Sequence, residues 1–512
     1  MDADDSLLKL ARRASALGRT DEAIELLQRH VAIHRDDATT RFELARLLSD
    51  RGRHAEAVEH LELVVQHNPQ GDGAMRNLAM SLMKVGRTSE ARMWYGATFE
   101  LTRKTSVWSE RLLVSNCVSE VTDADLVKEH RHYATLLGIE ATPCQPRETR
   151  TRSLRVGIVS ADLRQHPVAS FLDPFLKHLP ENGVDVVACS NAALDDEVTE
   201  RIRNCVAEWH PIARLSDGEV CELVRKREVD VLIDLSGHTE GHRLEVFARR
   251  AAPMQATWLG YPNTTGVAAI DWRIVDEVTD PPGSENLSTE RLLRVPAPFL
   301  CYVPPPDQAA LAGPRRAGPP TYGCLNFTGK ISEASVGVWS NLLRRDPEAV
   351  LLLKLYKSCG EREASIVRSR FEAMGIDGDR IGFTSWTARP GEHVDAYRDI
   401  DVALDPFPYN GTTTTCEALH AGVPVVTLPG RSHRSRVGAT LLTAIGETRW
   451  IAVDEEAYVE TAMALRRDVE TLAALRRELP RRVARSRLGD PAAFATGFAD
   501  ALRNAFRECS AR

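Results

Sequence analysis

The chain has 512 residues, of which 43% are hydrophobic and 27% charged, and its formal net charge is −7. This length exceeds what one hydrophobic core usually supports, so two to four domains are expected. The acidic balance gives no reason to expect nucleic acid or an anionic membrane as a partner. The sequence shows neither a signal-peptide pattern at its N-terminus nor an apolar stretch long enough to span a bilayer, which predicts a cytoplasmic protein.

The first hundred residues repeat with a period of 34. Gly18-Arg19, Gly52-Arg53 and Gly86-Arg87 recur at this spacing, and the pattern L-A-x6-G-R-x2-E-A keeps its phase in all three copies. This is the tetratricopeptide period, in which small residues stand where two helices cross and glycine forms the turn between them. Such repeats stack into a solenoid that either recruits peptide partners or shields the domain that follows.

The period is lost after Leu101, although residues from Ser106 to about Leu137 still read as helical, and the Pro/Arg/Thr-rich stretch from Thr142 to Arg152 reads as a linker. Near-continuous apolar runs separated by helical stretches then begin at Leu154, which is typical of a parallel sheet covered on both faces. Examples are LRVGIVS, VDVVACS and VDVLIDLSG, followed by ATWLGYPNTTG and WRIVD. A Pro-rich segment from Pro304 to Pro320 closes this half.

A second α/β series comprises TYGCLNFTGKI, VLLLKLY, RIGFTSW and the stretch from Asp401 to Gly430, and the chain ends in an Arg/Ala/Leu-rich helical region. The predicted domains are repeats at 1–105, a helical linker at 106–152, a first catalytic half at 153–305, a second at 306–480 and a C-terminal helix at 481–512. Two doubly wound halves place ligand sites at the carboxyl ends of their strands.

Within Asp401–Gly430, a buried strand from Val402 to Leu404 is followed by a Pro/Asn/Gly turn and four threonines that open a helix. That helix ends near Gly422, and a second buried strand is predicted from Val423 to Leu428. Backbone N–H groups and the dipole of such a helix start can hold a phosphate or pyrophosphate, with threonine hydroxyls added. A single capping threonine would indicate an ordinary helix, but four exceed what capping needs. Glu417, one turn further on, could accept hydrogen bonds from a ribose.

Three other side chains follow predicted strands. Asp162 and His166 lie in SADLRQHP, and His238 lies in IDLSGHT. A lone histidine is more often structural than catalytic, but two at strand ends near one predicted cleft raise the odds of a role as a base or an orienting group. Lys330, after the strand that leads into LNFTGK, could neutralise a leaving diphosphate, although surface exposure is the commoner fate of a lysine.

Several other activities lose support. The chain contains no P-loop, no G-x-G-x-x-G, no H-E-x-x-H and no D-x-D at a strand end. Its ten cysteines are scattered without C-x-x-C spacing, which predicts reduced and mostly buried thiols, with Cys416 in a packing role. Kinase, dehydrogenase and metallohydrolase functions are therefore not favoured, and no metal site is expected.

The repeats together with RVGIVSADLRQHP, DLSGHTEGHRLEVFARRAAPMQATWLGYPNTTG, LNFTGKI and DPFPYNGTTTTCEALHAGVPVVTLPG resemble the O-GlcNAc transferase and SPINDLY-type glycosyltransferases. The resemblance covers nearly the whole chain. It implies an N-terminal tetratricopeptide α-solenoid followed by a GT-B pair of Rossmann-like domains. It also implies an inverting, metal-independent protein O-glycosyltransferase that needs no cofactor besides its nucleotide-sugar donor and takes protein acceptors.

The same resemblance assigns site residues. It matches His166 to the active-site histidine of the H-P motif and Lys330 to the lysine that contacts the donor diphosphate. The implied nucleotide-sugar contacts are His393, Thr412, Thr413, Thr414, Glu417, Asn326, Thr264, Thr265 and His238. Among these, the threonines at 412–414 would bind pyrophosphate, Glu417 the ribose, and the P-N-T-T-G loop would lie near the transferred sugar.

Four positions depart from the patterns of the family. Animal-type enzymes have His-Thr-Thr and Asp where this chain has Thr412–Thr414 and Glu417, a form closer to SPINDLY-type and bacterial members. Phe327 replaces an amide side chain and Gly329 replaces Tyr. UDP-GlcNAc is the favoured donor, with GDP-fucose and UDP-glucose as alternatives. A tetratricopeptide scaffold with a degenerate catalytic region is the non-enzymatic alternative.

Overall fold

The computed structural model describes residues 3–141, 153–304, 315–355, 360–384 and 394–510, with side chains described from Ser6 onward. The chain forms two compact units. Unit 1 comprises Met1–Val118 and Cys324–Ala388, and unit 2 comprises Ser119–Gly323 and Arg389–Arg512. The predicted linker from Thr142 to Arg152 lies outside the described residues, as does much of the Pro-rich segment after Pro304.

Eight helices precede the first strand. Their bounds are α1 Ala3–Ala16, α2 Thr20–Ile33, α3 Ala38–Asp50, α4 His54–His67, α5 Asp72–Lys84, α6 Thr88–Thr102, α7 Thr105–Ser115 and α8 Asp123–Leu137. The repeat glycines Gly18, Gly52 and Gly86 have φ of +73°, +79° and +86°, a left-handed conformation that favours glycine at the end of a helix. The alanines at 23, 57 and 91 are fully buried, as helix crossings of tetratricopeptide repeats require.

Unit 2 contains a seven-stranded sheet in the order β3-β2-β1-β4-β5-β6-β7, and all its strand pairs are parallel. The strands are β1 Leu154–Ser160, β2 Val184–Ser190, β3 Glu208–Pro211, β4 Val231–Asp234, β5 Met254–Thr257, β6 Trp272–Val275 and β7 Arg291–Arg294. The helices between them are α9 Pro167–Leu176, α10 Glu197–Arg203, α11 Asp217–Lys226 and α12 Leu244–Ala248. Because all its strands run parallel, their carboxyl ends share one edge of the sheet.

The second α/β series is also parallel. Its strands are β8 Thr321–Cys324, β9 Val350–Lys354, β10 Ile381–Thr384, β11 Val402–Leu404 and β12 Val425–Val426. In unit 1 β9 pairs with β10, and in unit 2 β11 lies between β8 and β12. The helices in unit 1 are α13 Glu333–Arg345 and α14 Glu361–Glu372. Those in unit 2 are α15 Thr413–His420, α16 Val437–Ala444, α17 Glu455–Arg467, α18 Val469–Arg485 and α19 Pro491–Ser510.

Short 3-10 helices connect these elements at Pro180–Asn182, Glu285–Leu287, Thr328–Lys330, Gly378–Arg380, Ala396–Asp399, His433–Ser435, Thr448–Trp450 and Arg487–Gly489. In the part of the chain that the structure describes, none of the helices combines the length and the apolar character needed to cross a bilayer. No disulfide joins the described cysteines, and most of them are buried. Burial raises the pKa of the Cys416 thiol well above its ordinary value, in keeping with a packing role.

Candidate functional site

The threonine-rich helix start lies at the carboxyl end of β11. Helix α15 begins at Thr413, and Thr412 occupies the position before it. Within the described residues, the Thr412 side chain makes no capping hydrogen bond to the first turn. The Tyr397 hydroxyl donates to the Thr414 carbonyl at 2.8 Å and so fixes the first turn. Backbone N–H groups and hydroxyls at this helix start can therefore serve a bound anion.

Two buried polar residues shape the loop before that helix. The Asp405 carboxylate accepts hydrogen bonds from the Gly411 N–H at 2.7 Å and from the Thr427 hydroxyl at 2.7 Å. The Asn410 amide donates to the Pro406 carbonyl at 2.9 Å and accepts from the Gly438 N–H at 3.3 Å. Both side chains are almost fully buried, so the loop is held rigidly from beneath.

Helix α15 carries Glu417 one turn after Thr413, as predicted. The Glu417 side chain is 8% exposed. Its charge adds to the effect of burial in raising the pKa of the Tyr302 hydroxyl. Tyr302 in turn contacts Phe171 of α9, with ring centroids 6.0 Å apart. Helix α9 is the helix that His166 starts.

His166 stands at the N-cap of α9, directly before Pro167. Its Nδ1 accepts a hydrogen bond from the Val168 N–H at 3.3 Å and lies 3.6 Å from an Asp162 carboxylate oxygen. Burial lowers the pKa of His166, and the Asp162 charge opposes that effect. The lowered pKa favours the neutral imidazole at pH 7, and because Nδ1 accepts a hydrogen bond, we assign its proton to Nε2.

The loops after β1 and β4 meet at the carboxyl edge of the first sheet. A Cβ atom placed on Gly241 would lie 2.7 Å from the Ala161 Cβ, and the Asn191 amide donates to the Gly241 carbonyl at 2.8 Å. Asp234, at the end of β4, accepts from the Gly237 N–H and from the Thr257 hydroxyl, each at 2.8 Å. Burial raises the pKa of Asp234 to about 6, against the effect of these hydrogen bonds.

His238 is buried behind the P-N-T-T-G loop and does not line an open surface. Its Nε2 lies 2.8 Å from the Thr265 carbonyl oxygen, the geometry of a donated hydrogen bond. Burial, with the nearby His130 and His242, lowers the pKa of His238 well below 6.5. In these contacts His238 supports the backbone at Thr265.

Glu290 anchors both threonines of that loop. Its carboxylate accepts from the Thr264 hydroxyl at 2.6 Å, from the Thr265 N–H at 2.8 Å and also from the Thr265 hydroxyl. Burial acts to raise the pKa of Glu290, but the hydrogen bonds from Thr264, Thr265 and Ser288 outweigh it and hold this pKa below its ordinary value. A buried carboxylate thus fixes the backbone next to the predicted sugar position.

Helix α8 supports the same loop from its other side. His130 Nδ1 lies 2.6 Å from the Leu126 carbonyl, and its Nε2 lies 2.8 Å from the Tyr261 hydroxyl. The rings of Tyr133 and His238 meet edge to face at 4.6 Å between centroids. A Cβ on Gly266 would lie 1.9 Å from the His130 carbonyl oxygen, so only glycine fits there. The stretch from Tyr261 to Gly266 is therefore held by contacts with α8, His238 and Glu290.

Lys330 and Asn326 belong to unit 1. Lys330 ends the 3-10 turn Thr328–Lys330, and its N–H donates to the Phe327 carbonyl at 2.8 Å. Asn326 is buried and its amide lies 3.6 Å from the Cys324 sulfur. His393 lies outside the described residues. Unit 2 brings His166, His238, Thr264 and Thr265 to one sheet edge and carries the α15 start and Glu417 as well.

Sequence reasoning did not identify the buried residues that support these loops, namely Asp234, Glu290, Asp405, Asn410 and His130. For two of them the sequence carries a signal, because Asp234 and Asp405 are acidic residues that stand at the end of an apolar run, where a strand ends. Glu290 carries no local signal for this role, because the two threonines that it anchors precede it by about 25 residues.

Comparison with known proteins gives a consistent result. The family model described as glycosyl transferase family 41 matches residues 140–302 and 320–497, and a tetratricopeptide repeat model matches residues 14–70. A SPINDLY protein of Solanum lycopersicum, named a probable UDP-N-acetylglucosamine–peptide N-acetylglucosaminyltransferase, is 35% identical over 410 residues, which are 78% of this chain and 44% of that protein. The SEC protein of Arabidopsis thaliana, with the same activity in its name, is 32% identical over 65% of this chain and 35% of its own length.

The chain thus spans less than half the length of these curated relatives. Among solved structures, an O-GlcNAc transferase mutant of Thermobaculum terrenum superposes with a TM-score of 0.89 at 31% identity, covering 100% of this chain and 99% of that one. This similarity confirms the predicted fold class, a tetratricopeptide solenoid followed by two Rossmann-like parallel-sheet domains.

Proposed function

The chain belongs to glycosyl transferase family 41, and from this membership we propose that it moves N-acetylglucosamine from UDP-GlcNAc to serine and threonine hydroxyls of proteins. The acceptor oxygen forms a bond to the anomeric carbon from the face opposite the diphosphate. The bond between that carbon and the β-phosphate oxygen breaks, and UDP leaves with inversion. The acceptor proton passes to solvent or to the leaving phosphate.

One observation carries the proposal most directly, namely the helix start at Thr412–Thr414. Asp405 and Asn410 hold its loop from beneath, and the Thr412 hydroxyl is not used to cap the helix. A preorganised set of N–H and O–H donors at a helix start favours a pyrophosphate. Glu417 follows at the distance of one helical turn, where it would accept hydrogen bonds from the ribose.

Lys330 and His166 have distinct proposed roles. Lys330 neutralises charge that develops on the departing diphosphate, a form of stabilisation that typically contributes about 3 kcal/mol in the transition state. His166 is neutral with its proton on Nε2, so it donates a hydrogen bond and orients a substrate oxygen, and it does not abstract the acceptor proton. The P-N-T-T-G loop, which Glu290 holds through Thr264 and Thr265, lies near the transferred sugar.

The proposed enzyme works in the cytoplasm without a metal or any cofactor, and the repeats recruit its protein acceptors. Metal independence is checked by transfer in the presence of excess EDTA, which should leave the rate unchanged. A loss of transfer that Mg²⁺ or Mn²⁺ restores would contradict this part of the proposal.

The donor and the reaction are tested together. The protein is incubated with candidate acceptor proteins and with UDP-GlcNAc, UDP-glucose or GDP-fucose in parallel, and the intact mass of each protein is measured. We expect a mass increase of one N-acetylhexosamine per site with UDP-GlcNAc. If only GDP-fucose or UDP-glucose supports transfer, that nucleotide sugar is the donor and UDP-GlcNAc is not. If no nucleotide sugar supports transfer but the protein still binds peptides, the result favours a scaffold.

The catalytic role of Lys330 is tested separately with Lys330→Met. The rate of transfer should fall by at least about 100-fold. The affinity for UDP, measured from the shift in melting temperature that UDP causes, should change little. Near-normal transfer by this variant with a saturable donor would contradict the mechanism.

A further inference from the structure

The tetratricopeptide arm and the turn that carries Lys330 lie in the same compact unit. We propose that the loop of the third repeat positions Lys330 for the transfer reaction, with Lys84 and Phe327 as the positioning residues. This inference rests on the proposed function of Lys330, and it assigns the repeats a task apart from partner recruitment.

The third repeat touches the Lys330 turn through its backbone. A Cβ on Gly329 would lie 2.9 Å from the Met83 carbonyl oxygen and 2.5 Å from the Phe327 ring. A Cβ on Gly86 would lie 3.3 Å from the Thr328 methyl group. Gly86 is the left-handed glycine in the loop just after α5. The turn of the repeat and the turn of Lys330 therefore approach where neither has room for a side chain.

Phe327 forms the side-chain part of this contact. The Lys84 ammonium lies 5.1 Å from the centre of the Phe327 ring, within the range of a cation–π interaction. Phe327 also packs over Gly329, which immediately precedes Lys330. The residue that departs from the family's usual amide therefore contacts the repeat arm, and the departure has a structural role here.

Helix α14 joins the two elements a second time. The Glu363 carboxylate accepts from the Ala55 N–H at the start of α4 at 3.1 Å and from the Gly360 N–H at the start of α14 at 3.0 Å. From the other end of α14, Arg370 donates to the Ile331 carbonyl at 2.7 Å, one residue after Lys330. Arg362 adds an ion pair with Glu59 at 3.0 Å.

These contacts hold the Lys330 turn on both flanks. Thr328 is buried, and its hydroxyl lies 3.4 Å from the Lys354 carbonyl at the end of β9. The turn thus rests on β9 and α14 beneath it and on the α5–α6 loop beside it. A lysine that stabilises a leaving diphosphate must be placed to within a fraction of an ångström, so loosening one flank reduces the rate more than donor binding.

The test compares Lys84→Met and Phe327→Leu with Lys104→Met. Lys104 is a lysine of the same unit whose contact with Asp72 is solvent-exposed, and it makes a matched control. We expect Lys84→Met and Phe327→Leu to lower kcat by about 5- to 20-fold with a KM for UDP-GlcNAc within about twofold of the parent. Lys84→Arg, which keeps the cation over the ring, should restore most of the rate.

A second readout does not depend on activity. Hydrogen exchange of the peptide that spans Thr328 to Ile331 should become faster in Lys84→Met and Phe327→Leu but not in Lys104→Met. Unchanged exchange, unchanged kcat or an equal loss in the control would each overturn the positioning role. If the parent protein transfers no sugar at all, the proposed function fails, and the exchange experiment still decides whether the repeat holds the turn.

Discussion

At the scale of single residues, His166 shows how one side chain can serve two purposes. Nδ1 caps helix α9 by accepting from the Val168 N–H, and the Asp162 carboxylate lies 3.6 Å from the same atom. Protonation of Nδ1 would replace the cap by an ion pair with Asp162. The cap and the neutral ring therefore support each other, which leaves Nε2 as the donor available to a substrate.

Substitution of His166 by asparagine separates its role as a helix cap from its role in transfer. His166→Ala should lower the free energy of unfolding by about 1 kcal/mol, because a helix cap is lost, and should also lower kcat. His166→Asn should recover the stability, since asparagine caps helices well, but not the activity. Both quantities are measured by urea unfolding and by initial rates of transfer, and recovery of kcat by the asparagine variant would show that capping is the only role of His166.

A second prediction at this scale concerns the anchoring role of Glu290. Glu290→Gln places an N–H2 group among hydroxyl and N–H donors that need an acceptor, so we expect a loss of about 2 kcal/mol in unfolding free energy. Because the P-N-T-T-G loop loses its anchor, the KM for the donor sugar should rise while the affinity for UDP stays the same. Glu285→Gln, at an exposed carboxylate that pairs with Arg294, is the matched control. An equal effect in the control would contradict the anchoring role.

At the scale of elements, helix α8 makes the fold sensitive to acid. Burial lowers the pKa of His130 from 6.5 to about 4. Between these values the unfolded chain binds a proton that the folded chain excludes, so the stability is present above pH 6.5 and is lost as the pH falls towards 4. The loss from this one group amounts to about 3 kcal/mol.

The melting temperature should therefore fall between pH 7.5 and 5, and the fall should be smaller in His130→Gln, which cannot titrate. At pH 7.5 the glutamine variant should itself be less stable than the parent, because the hydrogen bond to Tyr261 is altered. Parallel pH dependences of the two proteins would contradict the assignment to His130.

Elements also show what the sequence could and could not predict. β1, β2 and β11 have the predicted bounds because each is a buried apolar run. β3 and β7 were not predicted: they lie at the outer edges of the sheet, and their sequences EWHP and RLLR carry polar residues where solvent reaches. The predicted strand at Val423–Leu428 is only Val425–Val426.

The same contrast holds for the site. The hydroxyl-bearing residues at the start of α15 are contiguous in the sequence, so the local composition reveals them. The supports, such as Glu290 beneath Thr264 and Thr265, are brought together by the fold from distant positions, and a single sequence does not encode that proximity in a local pattern. Phe327 was recognised only as a departure, because its partner Lys84 lies in another region of the chain.

At the scale of the whole molecule, unit 1 joins residues separated by more than 200 positions, the repeats and Cys324–Ala388. The segment that carries Lys330 thus packs with the arm, as the hydrogen bond from the Ala55 N–H at the start of α4 to the Glu363 carboxylate of α14 illustrates. A recruiting arm would be dispensable for a short peptide acceptor, whereas an arm that completes the fold of this segment would not.

Two truncations distinguish these roles. A chain that begins at Asp37 lacks α1 and α2 but keeps α4, α5 and their contacts with α14 and the Lys330 turn, so its kcat on a short peptide should stay within about twofold of the parent. A chain that begins at Ser119 loses those contacts, exposes Thr328 and the buried face of α14, and should lose at least about 90% of transfer to the same peptide, with a lower melting temperature. Normal kcat in the shorter chain would show that the arm only recruits partners.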